Sequence, residues 1–240
     1  MERVGDTVRR PLYPWSPSVH DLLLHLERIG FPYSPRFLGL DDEGREVLTY
    51  LEGESGGTGW TKVAGEAGLR AMARLLRDFH DAVRDHRPAT AWAAHDGTFG
   101  AGEFLAHGDF GPWNLVWRGT TPIGILDWDY VWPAPPLHDV AYALEYVAPF
   151  RDDDFARDSL HHREPPDRRR RLEIFAEAYG LSSTAGLADE VIAAQELVLR
   201  RVERLAAAGH QPHVTWQQTG VLARSAAHLA WSRSHRALFA

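Results

Sequence analysis

The sequence predicts an α+β chain, with a small sheet-containing first lobe and a larger, mostly helical second lobe. Three observations predict it. Short apolar segments broken by turn residues fill the positions before Gly53. Leu69, Met72, Ala73, Leu76, Phe79 and Val83 then recur at helical spacing. From Val140 onward, long segments keep that spacing, with no internal repeat.

Composition narrows the class. A chain of 240 residues can bury a sizeable core as one large domain or two small lobes. Hydrophobic residues make up 44% and charged residues 25%, as in an ordinary globular protein, and no apolar run is long enough to span a bilayer. A formal net charge of -7 argues against a nucleic-acid partner. Cysteine is absent, which excludes disulfides and cysteine zinc sites. The opening MERVGDTVRR lacks the apolar stretch of a secretory signal, so a cytoplasmic location is expected. Lys62 is the single lysine among many arginines and alanines, which suggests a GC-rich bacterial source.

Taken in order, Glu2–Arg10 reads as a short hairpin about Gly5-Asp6. Ser16 or Ser18 is placed to cap a helix reaching Ile29, stopped by Gly30. Arg36–Leu40 and Glu46–Leu51 read as strands about the turn Asp41–Gly44. Gly53–Gly59 reads as a flexible linker. It lacks the GK[ST] ending of a phosphate-binding P-loop, and the lobe boundary falls here, giving lobes 1–55 and 56–240. A helix over Glu66–Val83 follows, then strands Leu115–Trp117 and Ile123–Leu126. Helices are expected over Val140–Val147, Asp167–Tyr179, Ala188–Ala208 and Trp216–Leu238.

Residues 107–129 carry the chemistry. Asp109 stands in a loop before a strand, Asn114 at the start of that strand, and Asp127 at the close of the next. The turn RGTTP suits an antiparallel hairpin, which would bring Asn114 and Asp127 to the same end. Gly108 and Gly111 allow the tight backbone that such a loop needs. Phosphoryl transfer asks for this set, a carboxylate base beside hard oxygen donors for Mg²⁺.

HGDFGPWN followed by ILDWD resembles the aminoglycoside phosphotransferase and choline-kinase-like family, whose pattern is HGDxxxxN…(I/V)xDxx. PPLHDVAYAL resembles its (P)xxDLA segment. The resemblance implies a protein-kinase-like two-lobe fold. It also implies transfer of the γ-phosphoryl of ATP, with GTP open as donor, to a hydroxyl of a small molecule. Aminoglycoside-like compounds, amino-alcohols and sugars, cationic ones included, are the acceptors implied. Asp109 would be the base, with Asn114 and Asp127 the Mg²⁺ ligands. His107 and Gly108 would shape the loop, Asp129 would assist at the metal or hold the loop, and Asp139 would support the loop from below through hydrogen bonds. VLTYLEG resembles the strand and hinge against which adenine lies, with backbone groups of Thr49, Tyr50 and Leu51 bonding the purine. In TVRRP, Arg9 matches the phosphate-gripping lysine, with Arg10 its competitor in register.

Some features depart from the pattern. The chain begins inside the hairpin, so the first strand and the Gly-rich phosphate-covering loop are not in it, and Val19 stands where the family often has a glutamate. A nucleotide-binding pseudo-kinase without transfer activity is therefore the alternative reading. His138-Asp139 suggests a metal-dependent phosphohydrolase, but the prolines at 133, 135 and 136 oppose the helices that reading needs. His210 and His213 read as a surface turn, and RDDDFARDSLHHREPPDRRRR, with His161-His162, as a solvated loop. Within it, Asp152, Asp153 and Asp154 could meet ammonium groups of a cationic acceptor. Trp113, Trp117, Trp128, Tyr130 and Trp132 read mostly as packing, with Trp128 or Trp132 the candidates to line a substrate cavity. Oligomeric state leaves no signature.

Overall fold

The computed structural model describes residues 1–88, 90–93, 98–161 and 164–239. Two short strands, β1 (Glu2–Val4) and β2 (Thr7–Arg10), form the expected hairpin, and Gly5 takes a φ of 59° at its turn. Helix α1 (Ser16–Arg28) buries Val19, Leu22, Leu23 and Leu26 on one face. The expected serine cap is replaced by another arrangement. Ser16 Oγ accepts from the Tyr13 N–H, Ser18 Oγ donates to the Ala91 carbonyl, and a proline in the first turn supplies the helical φ. Strands β3 (Phe37–Leu40) and β4 (Glu46–Thr49) complete an antiparallel sheet of order β1-β2-β4-β3. Its register sets Arg9 opposite Val47 and Arg10 opposite Glu46.

The Gly-rich stretch is fastened rather than free. The Glu54 and Trp117 backbones bond each other in both directions, at 3.0 and 2.7 Å. The short helix α2 (Gly59–Lys62) then approaches the loop around Pro112 so closely that a Cβ on Gly59 would lie 2.0 Å from the Pro112 carbonyl oxygen. Helix α3 (Glu66–Val83) runs through the centre of the molecule and buries Leu69, Met72, Leu76 and Phe79 completely. Strand β5 (Phe104–Ala106) pairs with β8 (Trp132–Ala134), and between them β6 (Leu115–Arg118) and β7 (Thr121–Ile125) form a hairpin.

The rest is helical: α4 (His138–Val147), α5 (Asp153–Leu160), α6 (Arg168–Tyr179), α7 (Leu187–Ala207), α8 (His213–Gln218) and α9 (Val221–Ser234). Two of these differ from expectation. α5 lies in the segment read as solvated loop. The Asp152 carboxylate starts it by accepting the Phe155 N–H at 2.9 Å, and Ala156 and Leu160 bury its inner face. The single helix expected over Trp216–Leu238 is broken between α8 and α9, where Gly220 takes a left-handed φ of 78°. A small sheet region and a larger helical part result, and none of the helices is long and apolar enough to cross a membrane among the described residues.

Arg171 of α6 ties the helical part to the start of α3. It is buried and donates to the carbonyls of Val147, Ala64 (2.8 Å) and Val63 (2.7 Å). Arg171→Met leaves those acceptors without their donor, and a loss of about 2–4 kcal/mol is expected, read as a lower urea midpoint at unchanged m-value.

Candidate active site

Residues 107–114 form a loop between β5 and β6 whose shape is set from below. Gly108 has a φ of 78°, and a Cβ there would lie 2.2 Å from the Tyr130 carbonyl oxygen, so backbone and space both demand glycine. Asp139, in the first turn of α4, is buried beneath the loop. Its Oδ2 accepts the His107 N–H at 2.6 Å and its Oδ1 accepts the Gly108 N–H at 2.8 Å. His80 of α3 also reaches Oδ2, at 3.0 Å, and its other ring nitrogen meets the Tyr179 hydroxyl at 2.7 Å. Burial alone would raise the Asp139 pKa, but the His80 hydrogen bond and the nearby imidazoles outweigh it and hold the carboxyl down at about 2.

His107 is fully buried, which keeps its imidazole neutral. Nε2 donates to the Leu126 carbonyl at 2.9 Å, and Nδ1 accepts the Asp109 N–H at 3.3 Å. The imidazole thereby joins the loop to the end of the β6–β7 hairpin. There the Leu126 N–H donates to the Asn114 carbonyl at 2.7 Å, which brings Asp127 beside Asn114.

Asp109 is gripped on both oxygens. Asn114 Nδ2 donates to Oδ2 at 2.8 Å and to the Asp109 carbonyl at 3.0 Å, while the Tyr142 hydroxyl of α4 donates to Oδ1. Burial raises the Asp109 pKa to about 7 and the Asp127 charge adds to this, against the hydrogen bonds from Tyr142, Asn114 and Trp113. A carboxyl in that range suits proton transfer near neutral pH.

Asp127 sits at φ 58°, a left-handed conformation uncommon outside glycine. Burial and the neighbouring Asp129 carboxylate raise its pKa, while Arg10 opposes them. A carboxyl crowded by another acid gains from a nearby cation. The Asn114 amide nitrogen is committed to Asp109, which leaves its carbonyl oxygen as a donor. Asn114 and Asp127 thus offer two hard oxygens, the kind of set Mg²⁺ accepts when phosphate and water complete its octahedron. Among the described residues, no group of three or more His, Asp or Glu side chains could hold a metal by itself.

A cleft of ≈ 700 Å³ runs between these residues and the sheet, walled by Thr49, Tyr50 and Leu51 on one side and by Asn114 and Asp127 on the other. The sheet already uses the Thr49 and Tyr50 N–H groups, bonded to the Arg36 and Asp6 carbonyls. Arg10, and not Arg9, faces this cleft. Pairing with β4 puts Arg10 on the face of Glu46, and neighbouring strand residues point to opposite faces. Arg9 turns instead to Thr7 and to Asp41 at 3.7 Å. Arg10 is ion-paired with the fully buried Glu46 and, at 2.6 Å, with Asp129, which also accepts the Trp15 indole N–H at 3.2 Å. His20 of α1 holds the second Glu46 oxygen at 2.6 Å. Burial disfavours the Arg10 charge, but Asp129 and Glu46 outweigh it and raise the pKa.

Other expectations shift. Asp152 caps α5, Asp153 pairs with Arg168 at 2.7 Å, and Asp154 pairs with Arg157 at 2.7 Å, so each acid already has a protein partner. His213 is buried against the Tyr130 hydroxyl instead of lying on a surface turn. His162 lies outside the described residues. Of the two tryptophans expected to line a cavity, Trp128 does border the cleft although it is only 2% exposed, Trp132 is not among its lining residues, and Trp113 adds a partly exposed ring. Sequence reasoning passed over Tyr142, Glu46 and His20. The one signal for Tyr142 was its place three residues after Asp139, which puts both on one helix face.

Asp139→Asn places an amide where a loop N–H or His80 expects an acceptor, and a destabilisation of about 2–4 kcal/mol is expected. The folded pKa, about 2, lies below the ordinary 3.8, so the ionised carboxylate stabilises above pH 3.8 and that contribution fades as pH falls towards 2. The stability gap between wild type and variant, followed by denaturant titration, should narrow across that window.

Residues 102–175 match the model of the phosphotransferase enzyme family, APH. The trifolitoxin immunity protein of Rhizobium leguminosarum bv. trifolii is 33% identical over 199 residues, which span 79% of this chain and 74% of that protein. Among solved structures, a choline/ethanolamine kinase family protein from Mesorhizobium loti aligns with a TM-score of 0.54 at 19% identity, over 97% of this chain and 88% of that one. APH(2")-IIa in its gentamicin complex aligns with the same score of 0.54 at 12% identity, over 93% and 84% of the two chains. With a relative at 33% identity along most of both chains, and a family model lying across the loop 107–114, the chain belongs to the phosphotransferase enzyme family.

Proposed function

We propose that the protein transfers the γ-phosphoryl of ATP to a hydroxyl of a small molecule. Residues 1–55 hold the nucleotide and residues 56–240 supply the catalytic groups and the acceptor site. One observation carries this reading. Asp109, with a proton affinity near neutrality, is fixed by hydrogen bonds to both oxygens, beside the two-oxygen set Asn114 and Asp127 at the edge of the cleft. A carboxylate has about four lone-pair sites, so two bonds to protein leave room for an acceptor hydroxyl.

Asp109 orients that hydroxyl and takes its proton as the acceptor oxygen bonds to the γ-phosphorus and the bond to the ADP oxygen breaks. Arg10, anchored by Glu46 and Asp129, extends its guanidinium toward the phosphates. Leu51 and the carbonyls of Thr49 and Tyr50 take the adenine edge. Asn114 and Asp127 would hold Mg²⁺, which when bound neutralises phosphate charge. A cytoplasmic setting, where ATP and Mg²⁺ are abundant, accords with this chemistry. The similarity to a protein named for trifolitoxin immunity supports an acceptor that is harmful until phosphorylated.

Asp109→Asn is expected to lower kcat by ~10²–10⁴-fold while nucleotide binding and the unfolding midpoint are kept, and wild-type turnover in that variant would refute the assigned base. Calorimetry with ATP and Mg²⁺ separates transfer from binding alone: nucleotide binding without transfer to any hydroxyl compound favours a pseudo-kinase. Arg10→Lys keeps the charge and loses the planar fork, so KM for ATP should rise about tenfold, a cost of 1.4 kcal/mol, while Arg9→Lys leaves it unchanged.

A further inference from the structure

Asp109 is flanked by aromatic rings that the catalytic steps above do not use. Tyr142 donates to its carboxylate, and the Trp113 ring lies in the same loop, 6.5 Å from the Tyr142 ring. From Trp113 the rings continue outward. Tyr146 stands 4.7 Å away, edge to face at 82°, and Trp60 5.0 Å away, tilted by 38°. Phe155 then meets Trp60 edge to face at 5.7 Å.

Trp60, Trp113, Tyr146 and Phe155 come from α2, the catalytic loop, α4 and α5. All four keep part of their surface exposed, unlike the buried Trp117 and Trp128. Proteins bury most large aromatic surface, and a contiguous, partly exposed set beside a reactive group marks a binding surface. The backbone makes room for it. A Cβ on Gly111 would stand 2.3 Å from the Trp113 ring, and a Cβ on Gly59 would press into the loop that Trp60 leans on.

Charge narrows the occupant. Arg151 lies over the Tyr146 and Phe155 rings, 4.5 and 4.9 Å from their centroids, and Glu145 neutralises it at 2.5 Å. Two rings of the wall thus already carry a cation of the protein's own. The acids at the start of α5 cap the helix or pair with arginines, so each already faces a positive partner of the protein's own.

We infer that this wall is the acceptor-binding surface, and that the acceptor is an alcohol carried on a planar aromatic or heteroaromatic body with at most one positive charge, not a polycation. The inference rests on the phosphotransferase reading. A hydroxyl delivered to Asp109 beside Trp113 and Tyr142 lays the rest of its molecule against the neighbouring rings, where stacking takes up a flat body.

The test measures binding by calorimetry in the presence of Mg²⁺ and ADP, and phosphoryl transfer from ATP separately. Ring-bearing alcohols (tryptophol, tyrosol, pyridinemethanol) are compared with kanamycin, a polycation. At least one ring-bearing alcohol should bind more tightly than kanamycin. Trp60→Ala should weaken that binding about tenfold or more and leave the ATP dissociation constant unchanged, with Trp60→Phe restoring most of the loss. Trp60→Leu keeps apolar bulk without the flat face, so it controls for collapse of the site and should bind like the alanine variant. Tighter binding of kanamycin, no binding by any ring-bearing alcohol, or equal affinity in wild type and both ring-less variants would overturn the inference. Transfer to acceptors that ignore Trp60 overturns it while leaving the phosphotransferase reading intact. Trp60-dependent binding with no transfer to any bound alcohol overturns that reading and leaves the ring-binding surface standing.

Discussion

A single buried carboxylate holds the site in register. Asp139 has no contact with bulk water, and its charge survives there because two loop amides and an imidazole surround it. From that anchor the bonds pass from residue to residue. The His107 and Gly108 amides fix the loop, the His107 ring fixes the Leu126 carbonyl, and the Leu126 amide fixes Asn114. Asn114 in turn fixes Asp109. Asp109, Asn114 and the hairpin that carries Asp127 are therefore one connected object. A short-range network of this kind places reacting groups to within fractions of an ångström, as phosphoryl transfer requires.

The opposite wall of the cleft follows a different logic. Glu46 is fully buried on a strand of the small sheet and would be costly alone. Arg10 and His20 each take one of its oxygens. Arg10 continues to Asp129, so an ion-pair chain crosses from the sheet to the residues beside Asp127. The carboxylate that steadies the guanidinium comes from the strand next to it and not from α1, which contributes an imidazole. At position 19, where the valine departs from the family pattern, the side chain packs in the core while the neighbouring His20 does the pairing.

What the sequence showed was mostly what is local. The loop 107–114 and the hairpin leading to Asp127 could be placed because turn length and strand direction decide where the ends meet. α3 could be placed to the residue because its apolar stripe is unbroken. What escaped depends on partners far along the chain. The choice between Arg9 and Arg10 needed the β2–β4 register, which is set across the whole of α1 and β3. α5 hid in an acidic and basic stretch because its helix rests on the Asp152 cap and on an arginine from α6. The serines at 16 and 18 suited a cap by type, but one serves the chain before the helix and the other a distant carbonyl. The aromatic wall draws on four elements, and no spacing along the chain announces it.

Helix α4 acts as a ruler. Residues 139, 142 and 146 stand three and four positions apart on one face, and each does a different job: the first hangs the loop, the second bonds Asp109, the third belongs to the ring surface. With a rise of about 1.5 Å per residue, the separations between these jobs are set by helix geometry and not by side-chain packing. Single-residue exchange at 146 can therefore redraw the ring surface without moving the loop. A one-residue insertion after 139 cannot be absorbed in this way, because it turns everything beyond it by about 100° and swings both tyrosines off the face that Asp139 defines. Diversification along this helix is thus confined to substitution, and changes of length must fall in the connections that flank it.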